Sequence, residues 1–249
     1  MFKGFYYATS GMLTQSRVLN NISNNMSNAA TPGYKKDTLE SSTFQDILVH
    51  RTGNKDKSIY TPIGNSTMIR TVTELVTDYS EGMLEFTEQP LDFAISGKGF
   101  FQIQTADGQM RYTRNGSFNV DQDGYLCLQH IGRVMGENGP IQLPTDDVNV
   151  TKEGYITDAE TGAAIGRLRI VDFADYNQLE KIDEGMFAGP NPNAQATGVI
   201  MQKAIERSNV VAMDEMMGMI TSQRAFQSAS QIAKAYDQLM NKAADLGQL

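Results

Sequence analysis

Asn119, Asp121 and Asp123 alternate along the chain and run into Gly124, the order of oxygen donors that opens an EF-hand calcium loop. That chemistry needs a bidentate glutamate at the twelfth position, which here is His130. The flanks Ser117–Val120 and Tyr125–Leu128 alternate as strands, so the expected element is an Asp-Gly hairpin and not a metal loop. Gly97-Lys98-Gly99, ahead of Phe100 and Phe101, lacks the third glycine and the following helix of a dinucleotide fingerprint, and reads as a turn. His50 and His130 are the two histidines and Cys127 the one cysteine, with no spacing that assembles a zinc site or a Cys-His nucleophile. The 29 Asp and Glu residues include no pair whose context separates an acid and a base from surface charge. The expectation is a protein that is not an enzyme, with no catalytic residue, no metal and no cofactor.

Composition narrows the class further. A formal net charge of −8 argues against nonspecific nucleic-acid binding, and the compact basic clusters Lys35-Lys36 and Lys55-Asp56-Lys57 are too small to reverse it. One cysteine permits no intrachain disulfide. No stretch has the length of a membrane span, and the first residues lack the apolar core of a secretory signal. By composition alone the default is a cytosolic protein.

The elements that carry these residues are signalled most strongly at the two ends. Phe5, Met12, Leu19 and Met26 recur every seven residues, with Ala8, Ile22 and Ala29 as companions. Ile205, Ala212, Met219, Phe226, Ala233 and Met240 repeat the spacing near the other end, joined by Ala229, Ile232, Tyr236, Leu239, Ala243 and Leu246. Such a repeat marks helices that bury a stripe against another helix. The first helix is expected over residues 4–27, stopped by Thr31-Pro32-Gly33-Tyr34. Asn20, Asn24 and Asn28, with Asn21 and Asn25 beside them, form a strip of amides that is either a solvated flank or a surface that bonds neighbouring subunits. Ser208 or Asn209 can cap the last helix, in which Gly218 should cost about 1 kcal/mol relative to alanine. The 14 methionines include Met213, Met216, Met217, Met219 and Met240 there, suited to core packing or to a surface that adapts to several neighbours.

Between the ends the chain is β-rich. Leu91–Ile95 reads as a half-buried strand, and Asp107-Gly108, Asp121–Gly124 and Lys152-Glu153-Gly154 read as hairpin turns. Arg167–Phe173 reads as one further strand, and Val199–Met201 leads toward the last helix. Residues 50–65 read as an exposed loop or an extended arm, and 189–193 as a loop. The predicted fold is α+β: residues 1–34 and 203–249 form a discontinuous helical coiled-coil domain, 35–74 an extended connector or arm, and 75–202 an antiparallel β-rich middle domain.

Three blocks then carry a resemblance. Asn24-Asn25-Met26-Ser27-Asn28-Ala29-Ala30-Thr31-Pro32-Gly33-Tyr34-Lys35 resembles the N-terminal signature of bacterial flagellar basal-body rod and hook proteins. Gln89–Ile95 through Gly99-Phe100-Phe101, with Tyr112–Phe118 and Asp123–Leu126, resembles the family's middle domain. Ile205–Val210, Glu215-Met216 and Met219–Phe226 resemble its C-terminal signature. The signature positions taken from these blocks are Asn24, Asn28, Thr31, Pro32, Gly33, Tyr34, Leu91, Asp92, Gly99, Phe100, Phe101, Ser208, Asn209, Val210, Gln223 and Arg224. The length is similar to distal-rod-type members.

The resemblance implies a structural subunit of the basal-body rod, exported unfolded through the flagellar type III channel. It implies helical polymerisation with copies of itself and with neighbouring rod and hook proteins into a shaft that passes torque to the hook. Phe5, Met12, Leu19, Ile22, Met26, Met219, Phe226, Ala233, Tyr236 and Met240 are the expected subunit-contact stripes. Helices without tertiary packing are marginal, so residues before about 70 and after about 200 are expected to be protease-sensitive in the monomer. The rival readings are a secreted surface or adhesion module, a wall hydrolase, and a hook-associated subunit of the same family.

Overall fold

The computed structural model describes residues 2–52, 60–182, 185–190, 192 and 196–246 of the chain. They cluster into two compact units. One holds residues 1–26, 37–76 and 211–249; the other holds 27–36 and 77–210. The basic cluster at Lys55–Lys57, the tip of the expected loop over 50–65, and part of the loop over 189–193 lie outside the described residues.

The first unit contains helix α1 (Phe2–Ser27), strands β1 (Asp37–Thr52) and β2 (Tyr60–Thr77), which pair in a two-stranded sheet, and helix α2 (Ala212–Leu246). The expected connector is thus a pair of long strands.

Within this unit α1 and α2 run antiparallel. A Cβ at Gly4 would stand 2.2 Å from Tyr236 Oη, and a Cβ at Gly218 would stand 3.3 Å from Ile22 Cδ1. Gly218 is therefore a point of close helix approach, which accounts for a residue of poor helix propensity there. On α1 Ala8, Thr14, Ile22 and Asn25 are buried and Gly4 lies close under Tyr236, whereas Phe5 is 41% exposed.

Helix α2 begins at Ala212, with Glu215 N–H donating to Val211 O. Ser208 and Asn209 are too far upstream to cap it. Ile205, placed on the helical stripe by its spacing, instead lies in a strand.

The second unit is built of antiparallel strands. In chain order these are β3 (Leu84–Phe86), β4 (Phe93–Ser96), β5 (Phe100–Thr105), β6 (Met110–Thr113), β7 (Asn119–Val120), β8 (Leu126–Leu128), β9 (Gly132–Gly136) and β10 (Gly139–Pro140). They continue as β11 (Val148–Val150), β12 (Tyr155–Asp158), β13 (Ala164–Arg167), β14 (Ile170–Val171), β15 (Glu180–Ile182), β16 (Met186–Ala188), β17 (Val199–Gln202) and β18 (Ala204–Glu206). The largest sheet has the order β15-β16-β6-β5-β9-β8-β7, with β14 also on β5 and β10 on β9. β11-β12-β13 form a second sheet, and β17 pairs with β4 as β18 pairs with β3. With its two helices and this sheet system the chain is α+β, as its sequence predicts.

Strand β5 is covered on both faces. Phe101 and Ile103 enter a core with Phe93, Phe118, Leu126, Val134, Ile156 and Ile200. Phe100 points the other way, into a second cluster with Tyr112, Phe173 and Phe187. All three expected hairpin turns form, each with its glycine at positive φ.

Two sequence expectations about strands are corrected. Phe93, Ala94 and Ile95 are all buried, so β4 is not half-exposed. Arg167–Phe173 is split, because Leu168 N–H turns to Gly154 O and β14 joins a different sheet from β13. Val199–Gln202, which precedes the last helix in sequence, pairs with Phe93–Ser96.

Candidate assembly site

The calcium-like turn is occupied by a protein cation. Asp121 Oδ1 accepts from the N–H groups of Asp123 and Tyr125, and Arg133 Nε donates to Asp121 Oδ2 at 2.8 Å. Arg133 also pairs with Asp123 and lies 4.1 Å over the Tyr125 ring. Backbone donors, Tyr125 N–H first, hold the Asp121 carboxyl below its ordinary range. Among the described residues no group of His, Cys, Asp and Glu could hold a metal ion. Burial pushes the Cys127 thiol up, which suppresses its thiolate. Gly97-Lys98-Gly99 is the turn between β4 and β5, and Lys98 O accepts from Gly198 N–H.

The polar centre of the second unit lies elsewhere, and none of its three charges is among the sequence-predicted site residues. β18 alternates with Ala204 and Glu206 inward, so a carboxylate takes a core position. Lys35 Nζ lies 2.6 Å from Glu206 Oε1, and both side chains are 1% exposed. Arg114 Nη1 lies 3.1 Å from Glu206 Oε2. The remaining capacity is filled by backbone: Gly82 N–H donates to Glu206 Oε1, Lys35 Nζ to Ser80 O, and Arg114 Nη2 to Gly97 O. Desolvation pushes the Lys35 ammonium below its ordinary range, and Glu206 opposes that. A buried ion pair is tolerable only when hydrogen bonds satisfy most of its remaining atoms; here Arg114 Nε is the one atom of the three charged groups left without a hydrogen-bond partner.

The signature residues surround this cluster. Gly33 N–H donates to Glu206 O at 2.7 Å, and Lys181 Nζ donates to Lys35 O while lying 3.8 Å from the Tyr34 ring centroid. Asn209 Oδ1 accepts from Lys36 N–H, and its Nδ2 donates to Asp78 O. Gly33 has φ +67°, and a Cβ on it would meet Asn115 N at 2.2 Å, so both conformation and space demand glycine. Asp92 is buried and accepts from Thr87 Oγ1; Gly99, Phe100, Phe101 and Val210 are buried, and Leu91, Thr31, Pro32 and Ser208 half-buried. Asn28 is half-buried, and Asn24, Gln223 and Arg224 are exposed. The available signal for the cluster is that Lys35, Arg114 and Glu206 each sit inside one of the three resembling blocks.

In the first unit Asn21 and Asn25, beside the asparagine strip, are used internally, whereas Asn20 and Asn24 are exposed. Asn25 Nδ2 donates to Asp37 O while its Oδ1 accepts from Asp37 N–H, and Asn21 Nδ2 also reaches Asp37 O. Of the expected stripe residues Ile22 is buried, and Met12, Leu19, Met26, Met219, Phe226, Ala233, Tyr236 and Met240 are half-buried. On the outward side of α2, Met213, Met216, Met217 and Ile220 fall on one helical face and are each at least half exposed. Tyr6 and Leu13 are similarly exposed on α1. No described helix is long and apolar enough to cross a membrane.

The turn and the cluster hold charges that satisfy one another, and apolar surface remains on both terminal helices. Three family models match in chain order: flagella basal body rod protein over residues 5–35, the flagellar hook protein FlgE/F/G D1 domain over 94–158, and the flagellar basal body rod FlgEFG protein C-terminal over 201–246. The chain is 32% identical to the flagellar basal-body rod protein FlgG of Bacillus subtilis over 99% of both chains. It is 32% identical to the FlgG of Agrobacterium fabrum over 93% of this chain and 94% of the relative. It is 31% identical to the flagellar basal-body rod protein FlgF of Escherichia coli over 96% of this chain and 94% of the relative. The chain belongs to the flagellar basal-body rod protein family, a family of structural proteins of the flagellar basal body and not of enzymes.

Proposed function

We propose that this protein is a distal-rod subunit that leaves the cell unfolded through the flagellum's own export channel and polymerises helically with copies of itself and neighbouring rod and hook proteins. The carrying observation is the apolar surface left on both terminal helices. Met213, Met216, Met217 and Ile220 form one outward face of α2, and Phe5, Tyr6 and Leu13 are uncovered on α1. Repeated heterologous contacts through such faces generate an open helical tube. Ala8 and Ile22 on α1, with the row from Met219 to Met240 on α2, supply the helix packing behind those faces. Two helices covered on one side each are marginal alone, which suits a chain that must thread a channel and become ordered on assembly. The single cysteine leaves no intrachain disulfide to oppose unfolding.

Mass spectrometry of purified hook–basal bodies tests the proposal. Stoichiometric presence of this chain is expected. Its absence from them, with the protein abundant elsewhere, would overturn the reading in favour of a different helical assembly.

A further inference from the structure

We infer that Lys35, Arg114 and Glu206 form an ionic clamp that is closed in the free subunit, and that it fixes the segments Ser27–Lys36 and Ala204–Val210 to the middle unit before either terminal helix meets a neighbour. The inference goes beyond polymerisation and does not depend on it.

Every contact of the clamp lies within the second unit. Four segments distant in sequence converge on the Glu206 carboxylate: Lys35, the Ser80–Gly82 backbone, Arg114 and β18 itself. β18 is held along its length by β3, and the ladder is extended by Thr87 N–H to Lys203 O and Arg207 N–H to Met83 O. The incoming segment is held independently through Gly33 N–H to Glu206 O and Lys36 N–H to Asn209 Oδ1. No residue of α1 or α2 takes part in these bonds. Nothing in the clamp therefore waits for the helices to order.

The clamp is asymmetric. Without Lys35, Arg114 and Glu206 remain paired. Without the Glu206 charge, two buried cations face each other with only the exposed Glu81 carboxylate near Lys35, and an uncompensated buried charge is far more costly than a missing partner at the surface. Glu206 is the keystone. Order in the monomer consequently takes in Ser27–Lys36 and runs on to Val210, outside the limits near residues 70 and 200 that the helical periodicity alone suggests.

Hydrogen exchange on the full-length monomer in dilute solution reads this directly. The Gly33, Lys36 and Gly82 amides should be protected to within roughly tenfold of those in β5, well above the amides of α1 and α2. Exchange at Gly33 and Lys36 as fast as in the helices would overturn the inference. In Glu206→Gln those three amides should exchange at least about tenfold faster, with a smaller change in Lys35→Met. Should Glu206→Gln unfold the whole unit, seen as lost protection in β5, Lys35→Met decides. Faster exchange at Gly33 and Lys36 then supports the clamp, and unchanged protection refutes it.

Discussion

Lys35 Nζ and Glu206 Oε1 stand 2.6 Å apart, although 171 residues separate them along the chain. One follows the N-terminal helix in sequence and the other precedes the C-terminal helix, and both are closed off from water. The contact joins the two places where the chain enters and leaves the β-rich unit.

Replacing Glu206 with Gln removes the carboxylate charge that Lys35 and Arg114 share. Breaking a buried pair from one side costs about 3–5 kcal/mol. Denaturant unfolding of the β-rich unit should shift by that order. A change no larger than that of an exposed pair such as Arg207–Glu85, worth roughly 0–1 kcal/mol, would show that the charge is not buried in solution.

Gly33→Ala meets two obstacles at once. The residue sits at φ +67°, and the added methyl would press on the Arg114–Asn115 backbone at 2.2–2.3 Å. Backbone cannot rotate aside as a side chain does, so a loss of at least about 1–3 kcal/mol is expected. Gly108→Ala is the control, since it has a similar φ of +76° and nothing within 4 Å of its Cβ. Equal melting temperatures for the two variants would remove the close approach from the account.

Phe226 lies half-buried on the α2 face that is turned toward α1, in the same seven-residue row as Met219, Ala233 and Met240. Phe226→Asp should abolish incorporation into rods while the β-rich unit keeps its far-ultraviolet spectrum and its melting transition. Rods that still form from this variant would show that the helix contact is wrongly placed.

Tyr176 donates to Asp172 Oδ1 at 2.8 Å, and burial with that bond pushes its phenol up to about 12. The folded pKa is raised above the unfolded value of about 10. Its contribution to stability is therefore complete below about pH 10 and is lost as pH rises through about 12. Tyr176→Phe should lower stability by about 1.5–3 kcal/mol at neutral pH and flatten the alkaline part of the stability curve. An unaltered alkaline slope, followed by tyrosinate absorbance and unfolding together, would place the titrating group elsewhere.

The sequence by itself determined what depends on near neighbours. Two heptad rows announced α1 and α2, and Asp-Gly or Glu-Gly pairs announced three hairpins, because helix faces and tight turns are set by residues a few positions apart. The lack of a twelfth-position glutamate after Asn119 was likewise legible, and so was the resemblance of three separate blocks to rod and hook proteins. Tertiary structure alone decided how closely the helices approach at the start of α1, since that depends on the clearance at Gly4 and not on hydropathy. It also decided that Asn25 serves Asp37, that Ile205 lies in a strand, and that a lysine, an arginine and a glutamate occupy a core. A charged residue carries no local mark of burial. Its place inside is tolerable only where distant segments bring it counter-charges and backbone partners, and that matching exists only once the chain has folded.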